Sequence, residues 1–207
     1  MKKLVMILMA FCLTMPVAVN AQSKMVKKQV KAKLKEYAKD GKKVFGTSQT
    51  LEAVLTKHYT KLEEKDGKIF EIDGYGVAKS YNLASAAAQG SAAQKYATMC
   101  NAQLKARILG DMANEVNDNS VEFDKFYAAY EAKVEQEIRG ELRPSVSVKQ
   151  DLPDGRIRVE AYYLVDEDAA SRARVNALKN SQAESAAAQK YAQRISDFVN
   201  ERVLPQD

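Results

Sequence analysis

Two runs of β-forming residues, Leu142 to Lys149 and Arg156 to Val165, flank Gln150-Asp151-Leu152-Pro153-Asp154-Gly155. Proline presets φ and glycine tolerates positive φ, so Pro-Asp-Gly is turn chemistry and the two runs read as an antiparallel hairpin. Val146 and Val148 alternate on the first arm, and Ile157, Val159, Ala161, Tyr163 and Val165 on the second. Lys68 to Tyr81 reads as a further strand, with Phe70 and Ile72 on one face and Tyr75, Val77 and Lys79 on the other. Gly74 and Gly76 interrupt that strand and imply a bulge or the close approach of another backbone. Tyr162 and Tyr163 are neighbours on a strand, so one of them is expected to face solvent.

The longer stretches carry helical periodicity. Val26, Val30, Leu34 and Tyr37 recur at three- and four-residue steps over residues 24–39, with lysines on the remaining surface and Gly41 as the stop. The narrow apolar face, without Trp or Phe, predicts a helix docked on the domain rather than one lying in a membrane interface. A second helix is predicted from Ser48 to Glu64, capped by Ser48 or Thr50, with Leu51, Val54, Leu55, His58 and Leu62 on one face. A long helix is predicted from Leu83 to Val116, where Ala92, Tyr96, Cys100, Leu104, Ile108, Met112 and Val116 recur every fourth residue. Gly110 is expected to kink or end it. Val121 to Arg139 carries Phe123, Phe126, Tyr127, Tyr130, Val134 and Ile138 on one side, with Gly140 as its stop. The last helix is predicted from Glu167 to Leu204, before Pro205; its polar first half is expected to project beyond the core. Ala92-Ala93-Gln94-Lys95-Tyr96-Ala97 recurs as Ala187-Ala188-Gln189-Lys190-Tyr191-Ala192, which reflects either equivalent packing or a shared Ala-rich composition. These elements predict an α+β fold: a small antiparallel sheet of about three strands, packed against two long Ala-rich helices and two or three shorter ones.

The start of the chain has a different character. Lys2 and Lys3 precede an uncharged run from Leu4 to Val19, and Val19-Asn20-Ala21 flanks a cut before Gln22. This is the pattern of a secretory signal peptide. The run of 16 residues is short against the ~20 that cross a bilayer. Cys12 follows Phe11 rather than a small residue and sits deep in the run, so it reads as a leader residue and not as a lipid attachment site. The expected organisation is a cleaved leader over 1–21, a basic helical segment over 22–43 and a single α+β domain over 44–207. Cleavage leaves Cys100 as the lone cysteine, expected to be a buried, inert thiol without a disulfide.

Charge is concentrated near the new N-terminus. Of the formal net charge of +5, residues 24–43 hold nine lysines against Glu36 and Asp40, and residues 44–207 sum to −4. Export argues against a nucleic-acid partner and for an anionic membrane surface or glycan, or an acidic envelope protein. Lys24, Lys27, Lys28, Lys31, Lys33 and Lys35 are the candidate contacts.

The chain nominates no catalytic, cofactor-binding or metal-binding residue. His58 is the only histidine, so a His-based metal cluster is excluded, and it reads as a partly buried structural residue. Gly74-Tyr75-Gly76-Val77-Ala78-Lys79 misses the dinucleotide fingerprint, since Lys79 stands where the third glycine or alanine belongs. Asp166-Glu167-Asp168 lacks the glycine and distal glutamate of a calcium loop and reads as a helix cap. A nucleophile elbow, a CxxC pair and a phosphate-binding loop are absent. The expected function is therefore non-enzymatic and without a cofactor: contact with an envelope protein partner first, docking through the lysine-rich segment second. A hydrolase, in which His58 or a carboxylate pair converges with backbone donors in a pocket, is third.

Ile72-Asp73-Gly74-Tyr75-Gly76-Val77-Ala78 leads into Ala84-Ser85-Ala86-Ala87-Ala88, and Arg143-Pro144-Ser145-Val146 leads into a hairpin and an Ala-rich helix. In this order of elements the chain resembles exported envelope proteins of Bacteroides-type bacteria. More distantly, it is similar to the small outer-membrane lipoprotein family known from Helicobacter. The resemblance covers about residues 68–204 and implies an α+β domain at the cell envelope, periplasmic or associated with the outer membrane. It carries no catalytic residue across, and the chain departs from the family in having no lipid-attachment cysteine.

Overall fold

The computed structural model describes residues 23–64 and 67–199. The leader expected over residues 1–21, with Cys12 and the junction before Gln22, lies outside the described residues. So do Lys65 and Asp66, which follow the second predicted helix, and the end of the last predicted helix up to Pro205.

Among the described residues the elements run α1 (Lys24–Lys39), β1 (Lys43–Val44), α2 (Leu51–Glu64), β2 (Ile69–Ala78), α3 (Tyr81–Asp111) and α4 (Ala113–Asp118). They continue as α5 (Ser120–Glu141), β3 (Pro144–Asp151), β4 (Ile157–Asp166), α6 (Glu167–Gln182), α7 (Ala186–Lys190) and α8 (Ala192–Val199). The fold is α+β, built on a four-stranded antiparallel sheet in the order β1-β3-β4-β2. It has one strand more than the sequence predicts. β1 is two residues long, pairing Lys43 with Lys149 and Val44 with Val148, and two residues are too few to show a period.

The sheet is covered on both faces. On one, Phe70 and Ile72 of β2 and Val159, Ala161, Tyr163 and Val165 of β4 pack under α3, with α5 and α6 behind it. On the other, Val146 and Val148 of β3 and Tyr162 of β4 pack under Val26, Val30 and Tyr37 of α1 and Val54 and Leu55 of α2. Tyr162 and Tyr163 therefore do alternate, but both are buried, because each face has its own helical layer.

The two glycines of β2 serve close approach, not a bulge. The β2–β4 register is unbroken from Ile69–Asp166 to Ala78–Ile157, and the irregularity lies instead between Pro144 and Val146 of β3. A Cβ at Gly74 would stand 3.0 Å from Ala92 Cβ and inside the carbonyl oxygen of Ala88; one at Gly76 would stand 2.6 Å from Ala88 N and 2.9 Å from Ala87 Cβ. Ala84, Ala88, Ala92 and Ala93 line the facing side of α3 and are fully buried. Glycine on the strand against alanine on the helix lets the two backbones touch. The strand stops at Ala78, and Ser80 caps α3 by accepting from the Leu83 amide.

The break expected near Gly110 is present, and two other helix ends differ from expectation. α3 ends at Asp111, where fully buried Met112 leaves helical geometry (φ −134°, ψ 35°) before the short α4. α5 runs through Gly140 to Glu141; its stop is set by Pro144, which disfavours helical backbone at Arg143. The last predicted helix is three pieces, with Ser185 opening α7 by accepting from the Ala188 amide at 3.1 Å.

α6 does not project from the molecule. Ala170, Ala173, Ala177, Leu178 and Ser181 are buried, and α6 packs along α5. Its polar look comes from small core residues and from Arg174, which is 1% exposed. Arg174 donates to Tyr96 OH at 2.6 Å and to Glu167 Oε1 at 2.8 Å, so the charge enters the core already paired. The repeated hexapeptide likewise does different work in its two places. Tyr96 is buried within α3, whereas Tyr191 is half-buried at the break between α7 and α8.

Candidate functional site

Ser23 opens α1 by accepting from the Val26 amide at 3.1 Å, and the helix docks through Val26, Val30 and Tyr37 with Leu34 beside them. At ~100° per residue, Lys24, Lys27, Lys28, Lys31, Lys35 and Lys39 fall within an arc of about 120° whose centre is turned about 140° from the buried face. All six are exposed, and among the described residues none of them forms an ion pair. The row is ~22 Å long at ~1.5 Å per residue. Five of the six candidate lysines are thus brought together, and Lys39 joins them.

Lys33 is not part of the row. It lies on the docked side, bonds Glu36 at 3.2 Å and Tyr162 OH at 3.4 Å, and sits 5.5 Å from the ring centres of Tyr37 and Tyr162. It caps a buried polar cluster centred on Glu160, which is 4% exposed. Tyr37 OH donates to Glu160 Oε1 at 3.2 Å, Tyr162 OH donates to the same oxygen, and Lys42 Nζ donates to Oε2 at 2.7 Å. Burial pushes the Tyr37 and Tyr162 phenols well above their ordinary range, with Glu160 adding to the effect. For Lys42 burial is the largest single influence and pulls down, but the carboxylates of Glu160 and Asp40 together outweigh it and raise the ammonium. The cluster holds α1 to the sheet.

His58, 1% exposed on α2, bonds through Nε2 to Glu71 of β2, while its Nδ1 has no partner among the described residues. The sequence puts His58 on the right face but does not nominate Glu71. Cys100 lies under the opposite face of the sheet, so the two groups cannot act together. Burial raises the Cys100 thiol to about 12. Asp166 caps α6, accepting from the Asp168 amide at 2.9 Å, and Glu167 pairs with Arg174, so the acidic triplet serves the start of that helix.

A cleft of about 560 Å³ opens where β1 stops and leaves the first half of β3 at the sheet edge. Gly46, at φ +78°, turns the chain away from β3 there. Lys57 and Lys61 of α2 and Arg143 before β3 line the cleft, together with Val54, Pro144, Ser145 and Leu164. One wall is Phe45, with its ring centre 3.7 Å from that of Tyr81 and Lys149 on it at 5.5 Å. Sequence reasoning missed this site, because its residues come from five separate places in the chain.

No protein-family model matches the chain, and neither a search of curated proteins nor one of solved structures returned a match. No described helix is long and apolar enough to cross a membrane.

Proposed function

We propose that this is an exported, non-enzymatic protein of a bacterial cell envelope that docks on an anionic surface, lipid or glycan, through the lysine row of α1. One observation carries the reading. Six exposed lysines line one face of a helix whose opposite face is already buried against the sheet, so the row is held rigidly outward and contributes nothing to the core. Residues 44–207 sum to −4, so the excess positive charge of residues 24–207 lies in the basic segment. The apolar face of α1 is occupied, so docking is electrostatic and not insertion.

A lysine near an anionic bilayer contributes about 1 kcal/mol. Lys28→Gln/Lys31→Gln/Lys35→Gln should therefore weaken binding to phosphatidylglycerol vesicles about 100-fold, with unchanged thermal unfolding. Binding of the parent protein should also fall steeply with added salt. Parallel sedimentation with an acidic polysaccharide separates the two surfaces. Binding that ignores both the lysines and salt sinks the proposal. A second reading, contact with an envelope protein partner, is favoured by Tyr75 and Val77, exposed on β2 at the sheet edge. Crosslinked recovery of one acidic protein, with no retention on vesicles or glycan, would favour that reading instead.

A further inference from the structure

We propose that the cleft beside the first half of β3 binds a small amphipathic anion: an organic phosphate, sulfate or carboxylate with a compact apolar body. Its volume of about 560 Å³ lies within the roughly 300–1,000 Å³ of small-molecule sites. Its charge is one-sided. Lys57, Lys61 and Arg143 line it, and no lining residue is acidic.

Lys57 and Lys61 stand four residues apart on α2, where like charges repel. Arg143 adds a third cation from a different part of the chain. Among the described residues none of the three forms an ion pair. Arg143 is also held in place: its Nη1 donates to the carbonyls of Gly140 and Leu142, each at 3.0 Å. Its Nε and Nη2 have no partner among the described residues, which leaves the fork free to meet an oxyanion. Three cations around one cleft repel one another when it is empty, and a bound anionic group offsets part of that repulsion.

Val54, Pro144 and Leu164 make the cleft more than a charged patch. They give an apolar body a surface to cover, so the site should prefer an anion that carries one over a bare oxyanion. The lysines involved are on α2 and are separate from the row on α1, so this site stands or falls independently of surface docking.

Calorimetry on the intact protein tests the assignment with three probes: naphthyl phosphate, inorganic phosphate and naphthol. Naphthyl phosphate should bind saturably and at least about tenfold more tightly than either of the others. Lys57→Gln/Lys61→Gln and Arg143→Gln should each weaken it at least about tenfold, Lys57→Arg/Lys61→Arg should retain it, and the triple glutamine variant of α1 should leave it unchanged. All the altered side chains are exposed, so thermal unfolding should match the parent. No saturable binding, equal binding of naphthol, equal binding of inorganic phosphate, or insensitivity to the cleft variants would each overturn the assignment.

Discussion

Glu160 shows how a charged residue comes to sit in the middle of a buried strand. Three donors, from α1, from β4 itself and from the loop after α1, close on its carboxylate, so burial leaves no lone charge. The Leu142–Val165 region announces a hairpin, yet nothing local says that Glu160 and Tyr162 point into a second core. That depends on Tyr37 and Lys42, more than a hundred residues earlier in the chain. His58 and Glu71 tell the same story at shorter range, as helical periodicity fixes the histidine's face but only the α2–β2 packing brings its carboxylate. Cys100 was more legible, because a lone thiol on an apolar stripe at four-residue spacing has few places to go. With its thiol raised to about 12, Cys100 should stay protonated and unreactive at mildly alkaline pH. In the protein from Gln22 onward, which lacks Cys12, Ellman's reagent should report no free thiol in the native state and full release in denaturant; rapid native reaction would contradict the burial.

At the scale of elements, the contact between β2 and α3 is the tightest constraint. Gly74→Ala and Gly76→Ala should each cost about 3 kcal/mol, because the new methyl meets helix backbone, which cannot rotate away. Gly110→Ala is the contrast. Nothing lies near its Cβ position, so in a helix it should stabilise by up to about 1 kcal/mol. Urea unfolding of the three variants checks both signs. The glycines were visible in the sequence as interruptions, and the alanine run as a small-residue face, but their mutual contact was not. Breaks in the last predicted helix were hidden for the opposite reason. Ser181 and Ser185 bond the backbone locally and divide a stretch whose periodicity alone reads as continuous. Where periodicity and local hydrogen bonding agree, as in α1, α2 and α5, the predicted spans were close to those observed.

The whole molecule is a sheet between two unlike helical layers, and the basic segment supplies half of one of them. Deleting residues 22–43 would strip Val146, Val148 and Tyr162 of their cover and take Tyr37 and Lys42 from Glu160. The truncated chain should bind a hydrophobic dye strongly and lose cooperative unfolding; a compact truncated domain would show that α1 is an accessory. Surface docking is therefore tested by replacing lysines and not by removing the helix. The distance in sequence between α1 and its seat has a further consequence, in time. Tyr37 meets Glu160 across 123 residues and Lys33 meets Tyr162 across 129. A chain made from its N-terminus extrudes this helix first and its landing place almost last, so the second core closes only after β4 has emerged. Until then the segment has no seat to lock into, and one face of the sheet waits for a helix made long before it.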